Sequence, residues 1–210
     1  MNARNTVMML LMIGSLLMLS GCGINNIPTL DEQVKANWAQ VENQYQRRAD
    51  LVPNLVSTVK GYAAHEKETL QAVVEARAKV GSMQVDSSIL NNPQQLKQFE
   101  AAQSQLSSAL SRLMVVVERY PNLKANQNFL ALQSQLEGTE NRIAVARRDF
   151  IQSVSAYNTE IRTFPGRIWH SLLYSDMPIR ETYEATTSGA EGFGGRAHGL
   201  LVARREGAQA

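Results

Sequence analysis

The stretch FLALQSQLEGTENRIAVARRDFIQSVSAYNTEIRTF, residues 129–164, decides the fold. Phe129, Leu136, Ile143, Phe150, Tyr157 and Phe164 recur at every seventh position, with Leu132, Thr139 and Ala146 at the companion positions before the stripe shifts to Val154 and Ile161. A repeat of seven keeps one helical face apolar and favours left-handed packing at shallow crossing angles. Upstream, Asn91-Asn92-Pro93 reads as a cap followed by a proline in the first turn. It opens a helix whose stripe is Leu96, Phe99, Gln103, Leu106, Leu110, Leu113, Val117 and Tyr120. Pro121-Asn122 turns the chain from this helix into the long one.

Nearer the N-terminus, residues 29–49 place Leu30, Val34, Trp38, Val41 and Tyr45 on one face, with Thr29 as N-cap and Asp31 and Glu32 in the first turn against the dipole. Asp50-Leu51-Val52-Pro53 reads either as a fresh start with Pro53 in the first turn or as a kink in one long helix, and a break near Asp50 is expected. A second helix then runs to about Val80, with Leu55, Val59, Tyr62, Leu70 and Val73 inward and His65-Glu66-Lys67-Glu68 outward, until Gly81 stops it. Four amphipathic segments joined by short loops predict an all-α chain, an antiparallel four-helix bundle over residues 29–187. Phe164-Pro165-Gly166 ends the last helix. Ile168, Trp169, Leu172, Leu173 and Tyr174 are expected to form an apolar knot capping one end, and residues 188–210, rich in Gly, Ala and Arg, a disordered tail.

The first 21 residues have the anatomy of a signal peptide: Arg4 in a short basic region, an apolar run from Val7 to Leu19, then small residues before Cys22. Leu19-Ser20-Gly21-Cys22 resembles a lipobox, in which the cysteine takes a diacylglyceryl group, the Gly21–Cys22 bond is cut and the new amino terminus is acylated with a fatty acid such as palmitate. Stable anchoring takes about two acyl chains, so such a lipidated Cys22 holds the chain on a membrane. Residues 22–28 are the tether. The alternative is an uncleaved transmembrane helix over Val7 to Ile24, which at about 18 residues is barely long enough. Gly23, rather than Asp, follows the cysteine, which points to outer-membrane sorting in a Gram-negative cell.

Composition narrows the function. The chain carries 21 Lys and Arg against 19 Asp and Glu, a balance unlike that of a nucleic-acid binder. One cysteine excludes an intrachain disulfide, a zinc-cysteine cluster or a CxxC redox pair. His65-Glu66 lacks the second histidine four residues after the first that a metalloprotease helix needs, because Thr69 stands there. No Glu has a His three residues on, as di-iron bundles require, and no GxSxG elbow, P-loop or Rossmann fingerprint occurs. Glu66, Glu137 and Glu140 would form a hydrolytic pair only if their helices adjoined. Arg47-Arg48 and Arg147-Arg148 read as partners of carboxylates such as Asp50 and Asp149, or as a cradle for phosphate or anionic lipid.

Arg47-Arg48-Ala49-Asp50-Leu51-Val52-Pro53-Asn54-Leu55-Val56, then Val59-Lys60-Gly61-Tyr62 and His65-Glu66-Lys67-Glu68-Thr69-Leu70, closely resemble the signature of the bacterial LemA family. Glu137-Gly138-Thr139-Glu140-Asn141-Arg142-Ile143, Arg147-Arg148-Asp149-Phe150, Tyr157-Asn158 and Phe164-Pro165 are similar to its final long helix. The resemblance covers residues 29–187 and implies a membrane-attached helical bundle with most of its mass outside the cytoplasm. It implies no catalytic residues. Two features depart from the family pattern: a cysteine where many relatives keep a transmembrane leader, and the ending over residues 188–210.

These features predict a lipoprotein of the bacterial cell envelope whose bundle, on the periplasmic side, is a non-enzymatic interaction or scaffolding module without cofactor or metal. Its expected partner surface is Asn54, Lys60, His65, Glu66 and Glu68, facing an envelope protein and no nucleic acid. The rival expectations are an envelope hydrolase or metal-dependent enzyme on facing helices, and an accessory of a membrane signalling system.

Overall fold

The structure is a computed structural model that describes residues 8–9, 23–83 and 86–183. Its described residues form six α-helices and one 3-10 turn, with no strand among them. In chain order these are α1 (Asn26–Lys60), α2 (Lys67–Gly81), the 3-10 turn Ser87–Asn91, α3 (Pro93–Val117), the single turn α4 (Pro121–Lys124), α5 (Gln127–Arg162) and α6 (Gly166–Leu173). Cys22, most of the apolar leader, His198 and the tail from residue 188 lie outside the described residues.

α1 and α5 are the long members and pack on each other along their length. Four contacts fix their opposite directions. Asn26 Nδ2 donates to Glu160 at 3.2 Å, Asn37 Nδ2 to the Asp149 carbonyl at 3.2 Å, Arg48 to Glu140 at 2.8 Å, and Asn126 Nδ2 to the Tyr62 hydroxyl at 2.9 Å. α2 runs back along the second half of α1 and against α3, where Lys79 reaches Gln105 at 3.0 Å and Arg119 reaches Glu66 at 2.9 Å. At about 1.5 Å per residue the 35 residues of α1 span roughly 50 Å, so Asn26 and Lys60 mark two distant ends.

The expected break near Asp50 does not occur, and α1 runs unbroken through Pro53. A proline inside a helix removes one N–H and leaves the carbonyl four residues earlier without its donor. That carbonyl belongs to Ala49, and Arg77 Nε from α2 donates to it at 3.4 Å. Ala49, Val52, Leu55 and Val59 meanwhile keep the buried stripe continuous across the proline. The break falls later, at residues 61–66, so Glu66 stands at the N-cap position of α2 instead of lying within a helix, and Tyr62, expected inward, is 46% exposed.

Other boundaries also move. α1 begins at Asn26, ahead of the expected cap Thr29, because Ile27 is fully buried and Pro28 fits a first turn whose N–H groups have no helical partner. Thr29 Oγ1 donates to the Asn25 carbonyl at 2.7 Å. Asn92 and Asn126 cap α3 and α5 through their side-chain oxygens, which accept from Gln95 N–H at 3.2 Å and Phe129 N–H at 3.0 Å. Phe164, the last member of the seven-residue repeat, is 82% exposed, since α5 stops at Arg162 and the helical face no longer carries it.

The core divides into two apolar halves. Near the Asn26 end, Ile27, Trp38, Phe99, Phe150, Val154 and Tyr157 pack together, with Trp38 edge-on to Phe99 at 5.7 Å and to Phe150 at 5.4 Å. Toward the Lys60 end, Leu55, Val73, Leu106, Leu110, Leu113 and Phe129 form the other. Between them lies a polar level, with Arg48 only 1% exposed, its guanidinium donating to Glu140, to Ser107 Oγ at 2.7 Å, and to the backbone and side-chain oxygens of Gln103. Arg48 also lies 5.1 Å from the centre of the Tyr45 ring. Its partner is thus Glu140 rather than the Asp50 expected from sequence, because α5 brings residue 140 to this level. Arg148 does meet Asp149, at 3.2 Å.

The C-terminal segment after α6 folds back on the bundle as a strap. Arg180 and Asn158 exchange hydrogen bonds, Asn158 Nδ2 donating to the Arg180 carbonyl at 2.8 Å and the Arg180 N–H donating to Asn158 Oδ1 at 3.0 Å. The Arg180 guanidinium donates to Asp31 Oδ1 at 2.7 and 3.2 Å and also contacts Asn91. Asp31 is therefore a buried ion-pair partner, where the sequence suggested a first-turn acid set against the helix dipole. Three residues on, Tyr183 stacks on Trp38, abuts Phe150 edge-on, and receives the Arg147 guanidinium over its ring at 4.3 Å.

Candidate functional site

Two regions of this framework are candidates for function, one at each end. At the Lys60 end the α1–α2 turn meets the α3–α5 connection. α1 runs out with Lys60 exposed in its last turn, Gly61 and Tyr62 reverse the chain, and buried Ala63 pins the turn to the core. His65, Lys67 and Glu68 are exposed at the head of α2, and Asn54 is exposed one and a half turns before the end of α1.

Glu66 behaves differently from its neighbours. Its carboxylate oxygen accepts from the Tyr120 hydroxyl at 2.9 Å and from Arg119 at 2.9 Å, tying the turn to the end of α3. This hydrogen bond to the charged carboxylate raises the Tyr120 hydroxyl above its usual pKa, with some burial adding to the effect. Glu66 is thus a structural clamp at the tip, while Lys60, His65, Glu68 and Asn54 are brought to the same end with their charged or polar groups outward. Nearby, Lys124 pairs with Glu118, adding another fixed charge pair.

The carboxylates considered for hydrolysis are engaged separately. Glu66 holds Tyr120 and Arg119, Glu140 holds Arg48, and Glu137 accepts from Gln133 at 3.1 Å one turn earlier on α5. His170 Nε2 lies 2.8 Å from the Met177 carbonyl. Among the described residues no group of three or more His, Cys, Asp or Glu is arranged to hold a metal ion.

The other end carries the second region. Gly23, where the continuous description begins, has a positive φ of 106°, and a Cβ there would lie 3.8 Å from Pro165 Cγ. The apolar knot expected over residues 168–174 is only half packed. Trp169 and Tyr174 lean on the core, whereas Ile168 is 47%, Leu172 69% and Leu173 54% exposed. The cause is that α6 touches the bundle along a narrow line centred on Gly166, whose Cβ, if it had one, would fall 2.2 Å from the Glu160 carbonyl oxygen. Asp31 has a buried cationic partner, Arg180, on the strap. Burial alone would raise its pKa, but the hydrogen bonds and charges of Arg180 and Lys35 outweigh that and hold it below the ordinary 3.8. Sequence reading missed Arg180 and Tyr183, whose only signal was an aromatic and a basic residue in a short segment ahead of the Gly-rich tail.

The long seven-repeat helix, the proline-bearing α1 and the polar turn define a class of all-helical chains. Residues 37–191 match the family model described as LemA family, and the chain belongs to that family. The chain is 28% identical over 166 residues to Magnetosome protein MamQ 2 of Paramagnetospirillum magneticum, which covers 71% of this chain and 60% of that protein. It is also 28% identical over 160 residues to Magnetosome protein MamQ of Magnetospirillum gryphiswaldense, covering 67% of this chain and 58% of that protein. With Protein LemA of Metamycoplasma hominis it shares 30% identity over 118 residues, covering 56% of this chain and 49% of that one. The chain thus spans at most 60% of the length of these relatives. No helix among the described residues is long and apolar enough to cross a membrane.

Proposed function

We propose that this chain is a membrane-anchored envelope protein, held by a lipidated Cys22 with its helices outside the cytoplasm as an antiparallel four-helix bundle, and that it acts as a non-enzymatic scaffold. Its docking surface is the polar tip formed by Asn54, Lys60, His65 and Glu68. The observation that carries this reading is the separation of the two ends. Gly23, the first residue after the lipobox-like cysteine, lies beside Pro165, while Lys60 and Glu68 lie at the far end of a helix roughly 50 Å long. A tethered rod with a rigid polar tip suits reaching a partner protein away from the bilayer. Membrane association also agrees with relatives named for the magnetosome. Clamping by Glu66, Tyr120 and Arg119 gives that tip one fixed shape, which lowers the ordering cost of docking.

The test is a Lys60→Glu and Glu68→Lys double variant in the native cell, followed by crosslinking. Exposed charges contribute only about 0–1 kcal/mol to stability, so melting should be unchanged while recovery of a crosslinked envelope protein falls. An identical set of crosslinked partners with the fold intact would refute the tip as the docking surface.

A further inference from the structure

The apolar side chains that α6 leaves uncovered sit at the end of the molecule where the chain's apolar leader joins it. Ile168 and Leu172, one turn apart, share a helical face, and with Leu173 and the preceding Phe164 they place four large apolar side chains, each 47–82% exposed, within ten residues. Scattered exposed apolar residues are ordinary on protein surfaces. A cluster on one short helix is not, because the cost of hydrating it is relieved only when something covers it.

Position says what covers this one. The chain enters the bundle at Gly23, beside Pro165, and Asn26 is tied to Glu160 at 3.2 Å, so the point at which any anchor joins the bundle lies next to the start of α6. Residues 7–19 are apolar, and either fate for them, a lipidated Cys22 or an uncleaved helix, brings a bilayer to this end. Arg162 and Arg167 are exposed on either side of Phe164. Apolar side chains flanked by guanidinium groups match the boundary between acyl chains and phosphate headgroups, where short amphipathic helices lie in the plane of the membrane.

We infer that α6, with Phe164, is an interfacial foot that sits in the surface of the same bilayer that holds the anchor, and so sets the bundle upright instead of leaving it to swing on its tether. Its occupant is lipid. This inference rests on the anchored reading given above, and the test separates the two.

The full chain is reconstituted in phosphatidylethanolamine and phosphatidylglycerol vesicles with an environment-sensitive fluorophore on Leu172→Cys, on Leu173→Cys, or, as a control, on Val115→Cys. Val115 is a 70% exposed apolar residue on α3, toward the other end. Flotation reports the anchor, and quenching by bromine-labelled lipid reports the foot. The foot labels should shift to the blue and lose emission to brominated lipid at every protein-to-lipid ratio, while the Val115→Cys label does neither. Floating chains whose foot labels are no more quenched than the control would overturn the inference and leave the anchor standing. A blue shift without lipid quenching that grows with protein density would overturn it in favour of a second copy of the chain on this face. Chains that do not float would remove the anchored reading and the foot with it.

Discussion

The unbroken course of α1 through Pro53 depends, in this account, on a donor borrowed from another helix, and that dependence is measurable as a coupling. Arg77 is exposed and its Nε donates to the Ala49 carbonyl that Pro53 leaves without its helical partner. Arg77→Ala therefore removes little packing and one hydrogen bond to a partly buried acceptor, a loss of about 1 kcal/mol. Pro53→Ala restores the missing N–H and relieves the ring, and should stabilise the chain by up to about 3 kcal/mol. Once the Pro53→Ala variant supplies a helical donor, Arg77 is redundant at Ala49. Arg77→Ala should then cost only the few tenths typical of a surface change, leaving a coupling of roughly 0.5–1 kcal/mol. Urea melts of the four proteins, followed by helical circular dichroism, give the cycle directly. Equal costs of Arg77→Ala in both backgrounds would refute the idea that Arg77 rescues the proline.

Asp31→Asn keeps the shape of the Arg180 contact but removes its charge, and should cost about 1.5–3 kcal/mol at neutral pH. Because the Asp31 pKa is held below 3.8 in the folded chain, its contribution is present above that value and is lost as pH falls through the folded pKa. Wild type and Asp31→Asn should therefore converge in acid, as thermal melts at pH 7 and near pH 2 would reveal. Arg48→Ala should cost about 3–5 kcal/mol in chemical denaturation, since it strands Glu140 and Gln103 at the polar level between the two apolar halves.

Sequence makes the helical framework legible because its apolar residues keep a period. Spacing alone turns Trp38, Leu110, Ile143, Phe150 and Tyr157 inward, and all are buried. The period says nothing about partners drawn from distant helices. Pro53 reads locally as a break or a kink, and the donor that keeps the helix whole comes from Arg77, 24 residues later. Asp31 reads as a first-turn acid until Arg180 arrives from the strap, 149 residues away. At the tip, the polar residues 60–68 stand out as a unit. That Glu66 is an internal clamp depends on Tyr120 and Arg119, which no spacing links to it. The exposed foot on α6 reads as a cap because apolar residues at helical spacing look alike whether they meet protein or lipid.

The central claim is that the chain stands on its membrane with residues 60–68 held away from it. Energy transfer from a donor on His65→Cys, or on Arg162→Cys, to acceptors in the headgroup layer of the same vesicles measures this directly. An upright bundle places the His65 donor about 50 Å from the bilayer surface, the length of α1, so transfer should be weak there and near complete from position 162. Comparable transfer from both positions would mean that the bundle lies along the membrane, and the tip would lose its role as a surface presented to a distant partner.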